Sequence, residues 1–167
     1  MAVLPILTYP DPRLRLEAAP VADFAEPSFQ GLVDDLIDTM NHAPWCVGVA
    51  APQVGESVQL LVIDCDRSRK KIPLHHGLLV VVNPAILAWQ GMAIAREGCL
   101  SLPQYTGNVA RAVDMNVQFQ DRHGVTQTMD MADFEARVLQ HEMDHLEGKL
   151  FVDRVVSRRS DLFPRRH

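Results

Sequence analysis

Residues 134–150 read FEARVLQHEMDHLEGKL. On a helix, Phe134, Val138, His141 and His145 fall on one stripe, so the two imidazoles continue an apolar, inward-facing ridge. Glu142 lies one position round, close enough to reach a water held by the two rings. This is the H-E-x-x-H pattern: two neutral imidazoles to ligate a divalent metal, with a carboxylate to move protons. The plain alternative is a helix whose two histidines are hydrogen-bonded and merely buried. Two buried histidines beside a buried glutamate are costly without a partner, which weighs against it. Asp133 is the expected cap of this helix and Gly148 its expected stop.

Working outward, strands dominate the chain before this helix. Residues 113–121 and 125–131 alternate as a hairpin across Asp121-Arg122-His123-Gly124, which leaves His123 exposed and inert. Residues 58–65 (VQLLVIDC) form a strand rich in branched side chains, and residues 78–82 and 86–90 read as two strands flanking Asn83-Pro84. Residues 97–103 read as a loop. A first helix over 29–41 is predicted from the spacing of Leu32, Val33, Leu36, Ile37 and Met40. Residues 43–55 are a loop of small residues, and residues 1–20, with prolines at 5, 10, 12 and 20, form an extended arm. Residues 66–77 are a basic loop, where His75 and His76 are read as solvated surface rather than as a second metal site. Strands in succession followed by one central helix predict an α+β fold, with antiparallel sheet packed around that helix.

The bulk numbers bound the answer. A chain of 167 residues, 47% hydrophobic and 22% charged, is expected to be one soluble domain with a real core. The net charge of -5 argues against a DNA partner. The apolar start is too short for a signal peptide, no run reaches membrane-spanning length, and Cys46, Cys65 and Cys99 make no paired framework. The expected compartment is a reducing cytoplasm, without a membrane partner.

Two histidines do not complete a catalytic metal site. A third ligand ten residues after His141 is excluded because position 151 is Phe, and a downstream glutamate is missing because none follows Glu147. Asp153 and Asp161 remain, but too close in sequence for that pattern. Upstream, Cys99 offers a thiolate beside Gly98. Taken alone it is equally well a small buried hydrophobe.

Three stretches then bear on the choice: GVAAPQ (48–53), EGCLS (97–101) and QHEMDH (140–145). Their order and spacing resemble the signature motifs of the peptide deformylases, and the likeness runs from LTYPDPRLR (7–15) to LFVD (150–153). The stretch 136–153 is similar to the organellar-type branch in particular. Two departures occur in the first motif, Cys46 for the usual glycine and Val49 for the usual leucine. Neither removes a ligand.

The resemblance implies a metal-dependent hydrolase that takes the formyl group from the terminal methionine of nascent proteins. It implies one divalent ion per chain held by Cys99, His141 and His145, Fe(II) in the cell, with Zn or Ni able to substitute. Glu142 becomes the general base, while Gln53 and the Leu100 main chain stabilise the oxyanion. Val47, Gly48, Gly98, Phe134 and Val138 become the peptide site, and Glu97, Arg111 and Asp144 the groups bracing the ligands. A metal- and peptide-binding relative without turnover, and an H-E-x-x-H zinc peptidase, are the competing readings. The basic tail 154–167 could meet ribosomal RNA, the plainer alternative being a frayed terminus.

Overall fold

The computed structural model describes residues 2–165, so Arg166 and His167 of the basic tail lie outside the described residues, as does Met1. Two helices, α1 (Pro27–His42) and α2 (Asp133–Leu146), pack on an antiparallel sheet. The strands run β1 (Gly48–Ala50), β2 (Leu60–Asp64), β3 (Leu78–Cys99), β4 (Leu102–Gln120) and β5 (Thr126–Ala132), each paired with the next. The short β6 (Leu162–Pro164) pairs with β4.

β2 explains how both helices are held. Its run LLVI is buried on both faces, so it lacks the polar alternation of a half-exposed strand. Because side chains alternate, Leu61 and Ile63 pack toward Ala136, Val138, Leu139 and Leu146 of α2. Leu60 and Val62 point the other way, into Phe29, Val33, Leu36 and Met40 of α1. α2 is thus walled in by sheet, while α1 covers the opposite face. Burying each of these aliphatic side chains contributes about 1.5–3 kcal/mol.

Three local expectations are corrected. Residues 78–82 and 86–90 are not separate strands: β3 is one 22-residue strand with register shifts between Val82 and Ala85, Ile86 and Ala88, and Gly98 and Cys99. Asn83 takes a left-handed φ of 51° there, and its amide bonds the Val21 main chain and the Gln120 side chain. β2 pairing ends at Val82, so Pro84 costs no ladder bond on that side. Residues 97–103 are not a loop but the end of β3, a tight turn at Leu100-Ser101 and the start of β4. Asp133 does not cap α2; it is the first helical residue, and Ala132 precedes it with no side-chain cap.

The other end of α2 closes as the sequence suggests. Lys149 N–H donates to Asp144 O and Gly148 N–H to His145 O, a Schellman closure with Gly148 at φ 72°. A Cβ at Gly148 would also meet Arg15 O at 2.5 Å, so the N-terminal segment can press against the turn only because this residue is glycine.

Candidate metal centre

A third candidate donor stands at the far end of the long strand. Cys99 closes β3, and the register shift beside it turns its sulfur toward α2. The ligand atoms of Cys99, His141 and His145 all lie within 4.8 Å of one another, and among the described residues no other His, Cys, Asp and Glu cluster has such spacing. Sγ of Cys99 is 3.4 Å from Nε2 of His145. The two imidazoles meet edge to face, 5.3 Å between centroids. Phe151, at the position where one known pattern would carry a third histidine, stacks flat on His141 instead.

The two ring nitrogens of His141 face different groups. Nδ1 of His141 lies 2.9 Å from Glu97 Oε1, so its proton goes there and Nε2 is free to ligate. Glu97 is also gripped by Arg111 through both oxygens (2.9 and 2.9 Å) and by Arg137 at 2.7 Å. Arg111 reaches onward to Asp144 at 2.6 Å, and Asp144 in turn binds Arg154. Arg111 therefore joins Glu97 and Asp144 simultaneously. Burial resists charge on Glu97, but His141 and Arg111 outweigh it and hold the carboxyl well below its ordinary range.

Burial likewise opposes ionisation of Cys99, yet the neighbouring His145 and His141 bring the thiol well below its usual value. Thiolate is the form that ligates. Glu142 goes the other way: burial raises its pKa despite the two histidines. Its Oε2, with Nδ1 of His145, is buried and without a hydrogen-bond partner among the described residues. One thiolate and two imidazoles converging beside an unsatisfied carboxylate oxygen fit a four-coordinate ion with one open position.

The GVAAPQ segment supplies the opposite wall. Gln53 Oε1 accepts from Ala50 N–H at 2.9 Å, which turns the Gln53 NH2 toward Cys99 Sγ (3.5 Å) and Ser101 Oγ (3.1 Å). Gly48 faces Glu142 directly, since a Cβ there would stand 2.9 Å from Glu142 Cγ. The Cys46 thiol donates to Gly48 O at 3.3 Å, and burial pushes its pKa up to about 12, so it stays neutral. A cleft of about 400 Å³ gathers Val47, Gly48, Gln53, Gly98, Leu100, Phe134, Val138, His141 and Glu142. His145, Arg111 and Asp144 lie behind its surface.

Sequence reasoning missed Arg137, one helical turn before His141, and the rim arginines Arg96 and Arg165. The i, i+4 spacing of Arg137 and His141 was available as a signal for the first. The basic loop was also misjudged in part. Arg67 bonds Cys46 O and Ala43 O, tying the cleft loop down, while both main-chain N–H and ring Nδ1 of His76 engage the buried Glu135.

An H-E-x-x-H helix on an α+β sheet, with a Cys99, His141 and His145 cluster that could hold a metal ion, is the arrangement of a metal-dependent hydrolase. A model of the polypeptide deformylase family matches residues 3–161, and the chain belongs to that family. The peptide deformylase of Syntrophobacter fumaroxidans is 43% identical over 166 residues, covering 99% of this chain and 94% of its own. That of Nitrosococcus oceani is 46% identical over 153 residues, covering 92% and 87%. The crystal structure of a Legionella pneumophila peptide deformylase superimposes with a TM-score of 0.83 at 42% identity, covering 92% of this chain and 86% of that one.

Proposed function

We propose that Cys99, His141 and His145 hold one divalent ion and that Glu142 moves the proton in hydrolysis of a formyl amide. The reaction is the family's: formyl-methionyl peptide and water give formate and the free peptide. The observation that carries the residue assignment is the convergence of the sulfur and two imidazoles beside the unpartnered Glu142 oxygen. Fe(II) is the ion proposed in the cell, with Zn or Ni able to take its place.

A divalent ion in such a site lowers the pKa of bound water toward ~7 and draws charge from a carbonyl oxygen. Glu142 takes the water's proton, and the raised pKa that burial gives it favours its later return to the departing amine. Gln53 Nε2, already aimed at Cys99, and the Leu100 N–H stabilise charge developing on the formyl oxygen. The peptide lies extended along the main chain of Gly98 and of Val47–Gly48, as an added strand. Its methionine side chain enters between Val47, Phe134 and Val138. Glu97, Arg111 and Asp144 keep the His141 ring from rotating away.

The partners proposed are nascent formylated chains, and the compartment proposed is the cytoplasm. No helix among the described residues is long and apolar enough to cross a membrane. A transient ribosome contact is the finer reading of the tail. Among the described residues Arg154 faces Asp144 and Arg158 faces Asp153, while Arg158 stays largely exposed beside Arg159 for such a contact.

The test is formate release from formyl-Met-Ala-Ser by anaerobically metal-loaded protein, together with the metal content of Cys99→Ala. Formate and a free methionyl peptide are expected, and Cys99→Ala loses most of its metal. Cleavage of a peptide bond without formate, with metal retained in Cys99→Ala, would favour the zinc peptidase reading.

A further inference from the structure

The basic tail does not trail away from the body. After the turn Phe151–Asp153 the chain reverses near Ser157–Asp161 and returns as β6, pairing with Tyr105–Gly107 of β4. Asp161 O accepts from Asn108 N–H at 2.8 Å, and Arg165 N–H donates to Gln104 O at 2.7 Å. On the same strap, Phe163 lies under the Arg96 guanidinium, 3.8 Å from its ring centroid. The strap delivers Arg165 onto the active-site cleft. A Cβ added at Gly98 would collide with Arg165 Nη2, so the guanidinium rests on the glycine that precedes Cys99.

Arg96 and Arg165 both line the metal cleft, yet differ from the arginines beneath it. Arg111, Arg137 and Arg154 are committed to Glu97 and Asp144. Among the described residues, no carboxylate pairs with Arg96 or Arg165. Two guanidinium groups thus line the cleft, Arg165 directly after the paired strand and Arg96 stacked on the Phe163 ring. A guanidinium presents donors in a fixed fork that matches a carboxylate.

We propose that Arg165, supported by Arg96, is a specificity-determining residue that selects peptides carrying an acidic side chain shortly after the formyl-methionine. The inference rests on the proposed passage of the peptide along Gly98. An extended peptide on that edge presents successive side chains to alternate sides, so one position among the second to fourth residues faces the guanidinium. That position should respond to charge and its neighbours much less.

The experiment measures kcat/KM for C-terminally amidated formyl-Met peptides with Glu, Gln or Lys placed in turn at residues two, three and four. For the native protein at low salt, Glu is expected to exceed Lys by about 5- to 20-fold at one position, a range fitting a partly exposed charge-assisted contact. Raising salt shrinks the ratio. Arg165→Ala brings it toward unity and Arg165→Lys leaves part of it. Arg158→Ala, which removes an equal charge outside the cleft, preserves it. Binding of the same peptides to metal-loaded Glu142→Gln gives the ratio without turnover, so loss of all deformylation would count against the proposed function and not against the arginine. An equal Glu-to-Lys ratio in native and Arg165→Ala proteins overturns the proposal. So does a uniform rise for all peptides in Arg165→Ala, because the arginine would then only cover Gly98.

Discussion

Replacing Arg111 with alanine removes the buried cation that ties the last turn of β3 to the metal helix. Arg111 is 4% exposed and is the shared partner of Glu97 and Asp144, themselves 7% and 5% exposed. Breaking a buried ion pair from one side costs about 3–5 kcal/mol, because the remaining charge is stranded. Glu97 retains Arg137 at 2.7 Å and Asp144 retains Arg154 at 2.8 Å, so the low end applies. A loss of about 3 kcal/mol corresponds to a melting temperature lower by about 6–12 °C in a chain of this size. Glu97 also orients His141, so metal affinity should fall by about 10- to 100-fold.

Bound metal would itself stabilise the fold, so melting is followed by circular dichroism in chelator, and affinity is titrated separately. The acid limb gives an independent sign. Burial resists charge on Glu97, but His141 and Arg111 hold its carboxyl well below the ordinary range. Stability from such a group is fully present above the unfolded value of about 4.3 and is lost as pH falls toward the folded one. Native protein should therefore lose stability steeply below about pH 4, and Arg111→Ala less steeply. A melting temperature within about 2 °C of native in chelator, with the same acid slope, would refute the reasoning.

Gly48→Ala places a methyl group 2.9 Å from Glu142 Cγ. It should lower kcat by about 100-fold through displacement of the base, with metal content unchanged by elemental analysis. Gln53→Ala removes the donor aimed at the oxyanion and should lower kcat by about 10²- to 10³-fold in the formate assay. A change confined to KM would assign that residue to peptide binding instead.

How much of this was legible depended on the range of the interactions. The helix that carries His141, Glu142 and His145 was readable because these residues and Gly148 fall within one helix and its closing turn. β2 was equally plain, its branched run being buried on both sides. The continuity of β3 was hidden, since Asn83-Pro84 reads as a break. Only Val21 and Gln120, both distant in sequence, convert it into a bulge. Cys99 was ambiguous for a related reason: a lone cysteine becomes a ligand only through where the sheet carries it, and the deformylase likeness supplied that. The return of the tail was missed altogether, because Leu162–Pro164 is too short to register as a strand without Tyr105–Gly107 beside it.

The most direct test compares native protein with Glu142→Ala, both loaded anaerobically with Fe(II) or Ni(II), recording formate release and metal per chain on the same samples. Equal metal content with a loss of about 10²- to 10⁴-fold in turnover is the expected result. Equal rates in the two proteins would contradict the assignment of the proton to this carboxylate.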